Sequence, residues 1–339
     1  MGKDTNIEWC DSTINGSSGC DGCELWNDKK HTCYAGILHT TRLALSLPKL
    51  YARNFRTVQM IPGRFAQAAA WSDLRGVDRA AKPWLNGLPR CIFVGDMGDF
   101  LSSAVTDEFL EREMLGAITS PKGQRHFWML LTKRPWRLAA LSEKWGGLPD
   151  NVIAMTTVTS QKTADKRVPH LLNVKAKWRG LSCEPLLSAV DLHSPHIKVE
   201  TWQVGEFFDG PPPLHGIHWV ICGGESGTGA APMHPDWARS LRDQCNTAGV
   251  PYFFKQWGAE MPVVEAHKAS FIGSAVHHPW GLCQPAMTRV GKEKAGRSLD
   301  GREWNEMPRL SIPNDKLCDG LGGHSQQRMV STRTNDEKP

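Results

Sequence analysis

Short apolar runs that alternate with helical patterns constrain the fold of this chain more than any other feature. Residues 90–94 form a continuous apolar run that stops at Gly95, which is typical of a strand buried on both faces. Strands joined by crossover helices pair in parallel, so their carboxyl ends lie at one edge. Counting a first strand at residues 6–10, there are seven such units, about the number that an α/β barrel needs. The other runs are residues 126–131, 152–155, 177–181, 217–221 and 252–254.

The domain organisation follows from where this alternation begins and ends. A chain of 339 residues is long enough to bury a large core. We predict a parallel (β/α) barrel over residues 1–258, with a partly helical insertion at about 49–89. An irregular extension at 259–312 contains a tight hairpin around Asp300 and Gly301. The polar tail at 313–339 is expected to be disordered.

Composition limits the classes of protein to which the chain can belong. No window of eighteen apolar residues exists, so no membrane-spanning segment is expected. Residues 1–6 are polar and lack the apolar core of a secretory signal, so the ten cysteines are expected in a reducing cytoplasm. The net charge of +5 permits contact with nucleic acid without demonstrating it.

Three cysteines lie within fourteen residues in a glycine-rich loop after the first predicted strand. Cys20, Cys23 and Cys33 have the spacing C-x2-C-x9-C. Thiolates gathered this closely usually bind a soft metal or an iron–sulfur cluster. Three protein ligands leave one coordination position open, as catalytic metal sites do.

The spacing of these cysteines is also compatible with a purely structural loop. His31 could complete a structural zinc site, since three thiolates and an imidazole suit zinc. The cysteines could also form a disulfide or be buried as small hydrophobic residues. Cys10 could replace one of the three ligands.

Polar side chains follow most of the predicted strands and are expected to meet at one rim. For any single member, a structural role such as capping a helix is an equal alternative. Lys133 and Arg134 could bind a phosphate or carboxylate, or pair with a rim acid such as Glu184 or Asp165. Lys255 and Trp257 could contact a nucleobase, or only close the barrel. The rim set is Asp96, Asp99, Thr132, Lys133, Thr157, Glu184, Glu225, Ser226, Lys255 and Gln256.

From about residue 6 to residue 305 the sequence resembles a phage- and prophage-encoded family of radical S-adenosylmethionine-like proteins. The cysteine spacing departs from the commonest loop of the wider superfamily, which is C-x3-C-x2-C. The stretches that carry the resemblance are the cysteine loop and residues 93–100, 131–135, 181–187, 223–227, 233–237 and 254–258.

The resemblance implies a partial TIM barrel in which Cys20, Cys23 and Cys33 hold a [4Fe–4S] cluster. S-adenosylmethionine would bind the fourth iron, and its reductive cleavage would give a 5′-deoxyadenosyl radical. Asp96, Asp99 or Glu225 could accept hydrogen bonds from the ammonium or ribose groups of S-adenosylmethionine. Gly223 and Gly224 would let the backbone approach closely. This Gly-Gly-Glu element falls after the sixth strand, whereas the superfamily's usual one follows the second. The candidate catalytic residues are Glu225, Lys133 and Lys255.

The resemblance also implies a substrate and partners. Similar chains in phages that hypermodify their DNA, and so evade restriction, suggest a thymidine bearing a glycine-type adduct, in DNA or as a nucleotide. The reaction would be an isomerisation from a nitrogen-linked to a carbon-linked adduct. The enzyme would need a flavodoxin- or ferredoxin-like one-electron donor in the cytoplasm of an infected bacterium. The alternative is a metal- or cluster-containing nucleic-acid-binding protein without radical turnover.

Overall fold

Seven parallel strands form the central sheet, which is paired in chain order. The computed structural model describes residues 2–193, 214–227, 229–268 and 276–310. Each strand pairs in parallel with the next, so the predicted α/β class and parallel topology are confirmed. The strands are β1 (Ser12–Ile14), β2 (Cys91–Val94), β3 (Phe127–Thr132), β4 (Val152–Thr157), β5 (Trp178–Cys183), β6 (Trp219–Gly223) and β7 (Tyr252–Gln256).

The sheet curls into a half-barrel, as one side chain shows. The ring of Trp9 lies 4.8 Å from that of Phe93 in β2 and 6.0 Å from that of Trp219 in β6. In a flat sheet, strands four positions apart would be about 19 Å from each other. Trp9 is fully buried and fills the space between the two arms of the sheet.

The predicted first strand at residues 6–10 is wrong. The strand is Ser12–Ile14, which pairs in register with Ile92 to Val94. In the preceding segment, Lys82 Nζ donates to the carbonyl oxygens of Thr5, Ile7 and Cys10 at 2.6–2.7 Å, so a lysine occupies acceptors that a strand would use in a ladder.

The helices return the chain between strands close to the predicted positions. Thr106 accepts a hydrogen bond from Phe109 N and caps its helix as expected, and Gly249 adopts the left-handed conformation at a helix end (φ 65°). Two helices contain π-helical turns, His39–Leu43 and Leu110–Leu115. The α-helical segments are Tyr34–Leu38, Ala44–Ser46, Arg64–Ala69, Asp107–Phe109, Gly116–Thr119, Pro135–Lys144, Gln161–Leu172, Pro235–Ala248, Val263–Lys268 and Lys292–Ala295; Pro83–Leu85 is a 3-10 turn.

Beyond β7 the chain adds small antiparallel elements. Ser298–Leu299 and Arg302–Glu303 form the predicted hairpin, with positive φ at Asp300 (56°) and Gly301 (83°) between them. The described residues up to Arg309 belong to one compact unit. The tail predicted at 313–339 lies outside the described residues. The remaining strands are Ser17–Ser18 with Gln59–Met60, and Glu260–Pro262 with Met287–Arg289 and Val276–His277.

Within the described ranges, none of the helices has the length and apolar character needed to cross a membrane.

Candidate functional site

A cavity of about 410 Å³ opens at the carboxyl ends of the parallel strands. The cysteine loop after β1 forms one side, and the ends of β2 to β7 form another. Thr5, Ile7, Trp9 and Lys292 also line the cavity. Parallel pairing causes this convergence, because every strand ends at the same edge. The chemically active lining residues are Cys20, Cys23, Cys33, Asp96, Asp99, Lys133, Arg134, Thr157, Glu184, Glu225, Ser226, Lys255 and Gln256.

The three cysteines of the loop all line this cavity, although they approach it from different backbone segments. Ser102 Oγ donates a hydrogen bond to Cys20 Sγ at 3.7 Å, and Leu25 N donates to Cys23 Sγ at 3.4 Å. Donors aimed at sulfur recur around iron–sulfur clusters. For the free thiol of Cys23, burial outweighs the Leu25 hydrogen bond and raises the pKa above its usual value. As the side chains of the described residues stand, no three Cys, His, Asp or Glu groups are arranged around a common metal position. The three thiols are ligands of the type that an iron–sulfur cluster takes. Ligation would require their sulfur atoms to converge.

The structure does not bring the alternative ligands to the cavity wall. His31 is exposed and stacks on Trp26, with ring centroids 4.6 Å apart. Cys10 is fully buried, and its burial raises the pKa of the thiol well above the usual value. The nine described cysteines are free thiols. Cys20, Cys23 and Cys33 therefore remain the candidate ligand set.

Arg134, at the end of β3, connects the cysteine loop to the barrel. Its guanidinium donates to a carboxylate oxygen of Asp21 and, at 3.0 Å, to the carbonyl oxygen of Gly22. Its Nη1 lies 2.8 Å from Asp99 Oδ2. Asp21 also accepts from Ser103 N at 2.7 Å. Burial alone would raise the pKa of Asp21, but the Ser103 amide and Arg134 lower it below the usual value.

A second arginine fixes the other end of the short cysteine segment. Arg167 donates to both carboxylate oxygens of Glu24, at 2.9 and 2.7 Å. Burial opposes ionisation, but the bidentate contact outweighs it and lowers the pKa of Glu24 to about 2. Sequence reasoning missed the roles of both arginines in holding the loop.

The two aspartates after β2 have different environments. Asp99 accepts from Thr132 Oγ1 (2.7 Å) and Lys133 N (2.8 Å) and pairs with Arg134, so both of its oxygens already have protein partners. Asp96 Oδ1 accepts from Asn15 Nδ2 at 2.5 Å, and burial raises the pKa of Asp96. Asp96 therefore retains more capacity to accept a hydrogen bond from a ligand.

Lys133 and Lys255 are both at the cavity, but only one is paired. Lys255 Nζ donates to Glu184 Oε1 at 2.6 Å. Burial alone would lower the pKa of Lys255, but Glu184 raises it above the usual value. Lys133 lines the cavity without an ion pair to any carboxylate in the described part of the chain. Lys133 is therefore the cation that remains available to an anionic ligand.

Glu225 and Gln256 present unpartnered acceptors. Glu225 is 9% exposed; its Oε2 accepts from Ala231 N at 2.9 Å, whereas its Oε1 has no partner among the described residues. The Oε1 of Gln256 likewise lacks a partner in the described ranges, while its Nε2 donates to Glu184 at 3.2 Å. A buried oxygen without a donor is costly, so a ligand that brings an N–H or O–H group would be stabilised here once either side chain turns its buried Oε1 toward the cavity.

The glycines before Glu225 make room for protein atoms. A Cβ on Gly224 would overlap the carbonyl oxygen of Trp257, and one on Gly223 would lie 3.2 Å from the Glu184 side chain. Trp257 itself is buried, and its Nε1 donates to Ser298 O at 2.8 Å. Of the two roles considered for Trp257, contact with a nucleobase and closure of the barrel, this buried position and hydrogen bond favour the second.

The fold and the site thus define the class of this protein, which is a parallel half-barrel with a cysteine-lined cavity at its strand ends. The sequence matches the family described as "Protein of unknown function (DUF5131)" over residues 4–308, and the chain belongs to that family. Searches of curated proteins and of solved structures gave no match.

Proposed function

We propose that this chain is a radical S-adenosylmethionine enzyme in which Cys20, Cys23 and Cys33 hold a [4Fe–4S] cluster. The observation that carries the proposal is that all three thiols line one cavity together with the polar ends of β2 to β7. Three thiolates leave one iron free to bind a small molecule. The resemblance in sequence supports the same assignment.

The bound cluster would supply the one-electron chemistry that cleaves S-adenosylmethionine and starts hydrogen abstraction from the substrate. The protein's own groups bind and orient. Asp96 and the free Oε1 of Glu225 accept hydrogen bonds from ammonium or hydroxyl groups, and Lys133 binds a carboxylate or phosphate. The partly buried Lys255–Glu184 pair gives the cavity wall a fixed charge pattern. The cysteine loop, which forms one side of the cavity, would limit the access of water to a reactive intermediate.

For the substrate we propose a thymidine that carries a glycine-type adduct and is rearranged from nitrogen-linked to carbon-linked. This part rests on the sequence resemblance. A wall that offers acceptors at Glu225 and Gln256 and a cation at Lys133 suits a group with both an amine and a carboxylate. A flavodoxin- or ferredoxin-like protein of the host cytoplasm would deliver the electron.

The proposal is tested on anaerobically reconstituted protein. We expect a brown protein with about four irons and four sulfides per chain that releases 5′-deoxyadenosine when it is reduced with S-adenosylmethionine. Cys20→Ala, Cys23→Ala and Cys33→Ala should each abolish cluster assembly. Cys91→Ala, Cys183→Ala and Cys245→Ala are the controls, because these cysteines are buried in β2, β5 and a helix.

Two outcomes would contradict the proposal. Full cluster retention in Cys33→Ala would remove the ligand assignment. A colourless protein that holds one zinc and releases no 5′-deoxyadenosine would favour a nucleic-acid-binding protein without turnover.

A further inference from the structure

The net charge of the chain is concentrated in one segment next to the cavity. Residues 25–64 contain seven of the 40 basic residues and one of the 35 acidic residues, so this segment carries +6 and the remainder −1. Charge segregated in this way, rather than spread over the surface, is typical of a surface that binds a polyanion.

This segment folds as one layer over the cysteine loop. The ring of Phe55 packs against Trp26 at 5.1 Å and against His39 at 5.0 Å. His39 Nε2 lies 2.6 Å from the carbonyl oxygen of Ala52, which joins the helix to the loop that follows it. On its inner side, the layer supplies Cys33 to the cavity wall. Its charges are therefore held at a fixed distance from the candidate reactive site.

The outer face of the layer carries cations without partners. Arg56 pairs with Asp28 at 2.7 Å, which uses the one acidic residue of the segment. No carboxylate among the described residues pairs with the other exposed cations, which come from three successive parts of the layer. These are Lys29 in the first loop, Arg42 in the helix, and Lys49 and Arg53 in the second loop.

The helix of this layer also carries exposed apolar side chains. Tyr34, Ile37 and Leu45 are 53%, 41% and 70% exposed, and they recur at helical spacing. Tyr34 also lines the cavity, and its hydroxyl donates to the Asp96 carbonyl oxygen, so an aromatic ring is held at the entrance. Cations interleaved with an aromatic ring suit the phosphates and bases of a nucleic-acid strand.

We propose that the cations of this outer face, Lys29, Arg42, Lys49 and Arg53, together with Tyr34 at the cavity entrance, bind a nucleic-acid strand. The cations contact phosphates, and Tyr34 stacks on a base that has left the duplex stack and enters the cavity. The helical stretch is about 20 Å long, which matches about six stacked nucleotides of one strand. A recessed cavity at the strand ends can receive a base only after the base leaves the stack. The inference rests on the proposed function only in taking this cavity as the reactive site.

The test is a titration of the full chain with a fluorescein-labelled 15-nucleotide single-stranded DNA, followed by anisotropy at several salt concentrations. The titration requires no turnover, so it measures the affinity of this surface for DNA even if the chain does not cleave S-adenosylmethionine. The variant R42E/K49E/R53E should bind at least tenfold more weakly. Its slope of log K against log salt should fall by about 2, since each lost phosphate contact contributes about 0.7.

Matched controls separate this surface from net charge. K122E/K162E/K294E reverses three exposed lysines elsewhere and changes the net charge equally, so it should bind within about threefold of the unmodified protein. Tyr34→Ala should weaken binding about tenfold without changing the salt slope, whereas Tyr34→Phe should retain binding.

Three results would overturn the inference. One is no salt-dependent binding of DNA by the unmodified protein. Another is an equal loss of affinity in both triple variants. The third is displacement of the DNA by poly-glutamate of the same total charge as effectively as by unlabelled DNA, which would indicate an acidic protein as the partner.

Discussion

Arg134 is the side chain through which the barrel holds the cysteine loop, so its replacement tests the geometry of the site directly. Arg134→Met keeps an unbranched apolar stem and removes the contacts of the guanidinium with Asp21, Gly22 and Asp99. Arg134 and Asp99 are 14% and 7% exposed, so this pair is largely desolvated. Removing one member of a buried pair costs about 3–5 kcal/mol, and we expect about 3 kcal/mol because Asp21 retains some solvent.

Two measurements distinguish local from global effects of this change. Urea unfolding gives the loss in the free energy of unfolding, and amide hydrogen exchange reports residues 19–25 separately. In Arg134→Met the exchange protection of this loop should fall by more than global destabilisation explains. Uptake of iron during reconstitution should fall as well.

The matched control is Arg79→Met. Arg79 pairs with Asp11 at 2.8 Å, and both side chains are 7% exposed, but neither lines the cavity. This variant should lose similar stability while the cysteine loop exchanges and takes up iron as before. If the two variants behaved alike in exchange and iron uptake, Arg134 would be an ordinary structural arginine and the reasoning would be refuted.

Three further changes test other parts of the structure. Glu225→Gln should leave the fold and the cluster intact and weaken the binding of S-adenosylmethionine or substrate about tenfold to a hundredfold, because a charged hydrogen bond is worth about 1.5–3 kcal/mol. Calorimetric titration with each ligand measures this loss. Lower thermal stability with unchanged affinities would show that Glu225 has a structural role. Burial lowers the pKa of His126 to about 4, so as the pH falls the imidazole takes up a proton in the unfolded chain before it does so in the folded one. The free energy of unfolding, measured with urea, should therefore drop by about 2 kcal/mol from pH 8 to 5. His126→Leu should flatten this pH dependence. Gly224→Ala should lower the free energy of unfolding by at least about 2 kcal/mol, because its Cβ would overlap the Trp257 carbonyl oxygen. Gly116→Ala, in open helical surroundings, should be neutral or stabilising. Equal thermal unfolding of the two variants would contradict the packing argument.

The sequence predicted the strands whose apolar runs are continuous, because burial on both faces leaves a strong local pattern. β2 to β7 lie within two residues of the predicted positions. β1 was missed because Ser12 and Thr13 are polar although buried. Ser12 Oγ accepts from Arg90 Nη1 at 2.8 Å and donates to the carbonyl oxygen of Lys3 at 2.5 Å, and these two partners make a buried serine acceptable there.

The rim residues could be predicted as a set but not individually. Parallel topology alone places the residues after each strand at one edge, and all ten residues of the expected rim set line the cavity. Whether Asp96 or Asp99 can accept a hydrogen bond from a ligand depends on which of their carboxylate oxygens already have protein partners. The partners of Arg134 and Arg167 are 113 and 143 residues away in sequence, at Asp21 and Glu24, so no local pattern could reveal them.

The short first strand has a consequence for how a cluster could enter and leave. β1 has three residues and, among the described strands of its sheet, pairs only with β2. A strand with so few ladder bonds at an edge is among the first parts of a sheet to open. Because the cysteine loop follows this strand, it would detach while β2 to β7 stay folded once its contacts with Arg134 and Arg167 open as well. We therefore expect the apoprotein to be a folded receptor, in which iron–sulfur insertion is a late and reversible maturation step and loss of the cluster precedes denaturation as a separate transition.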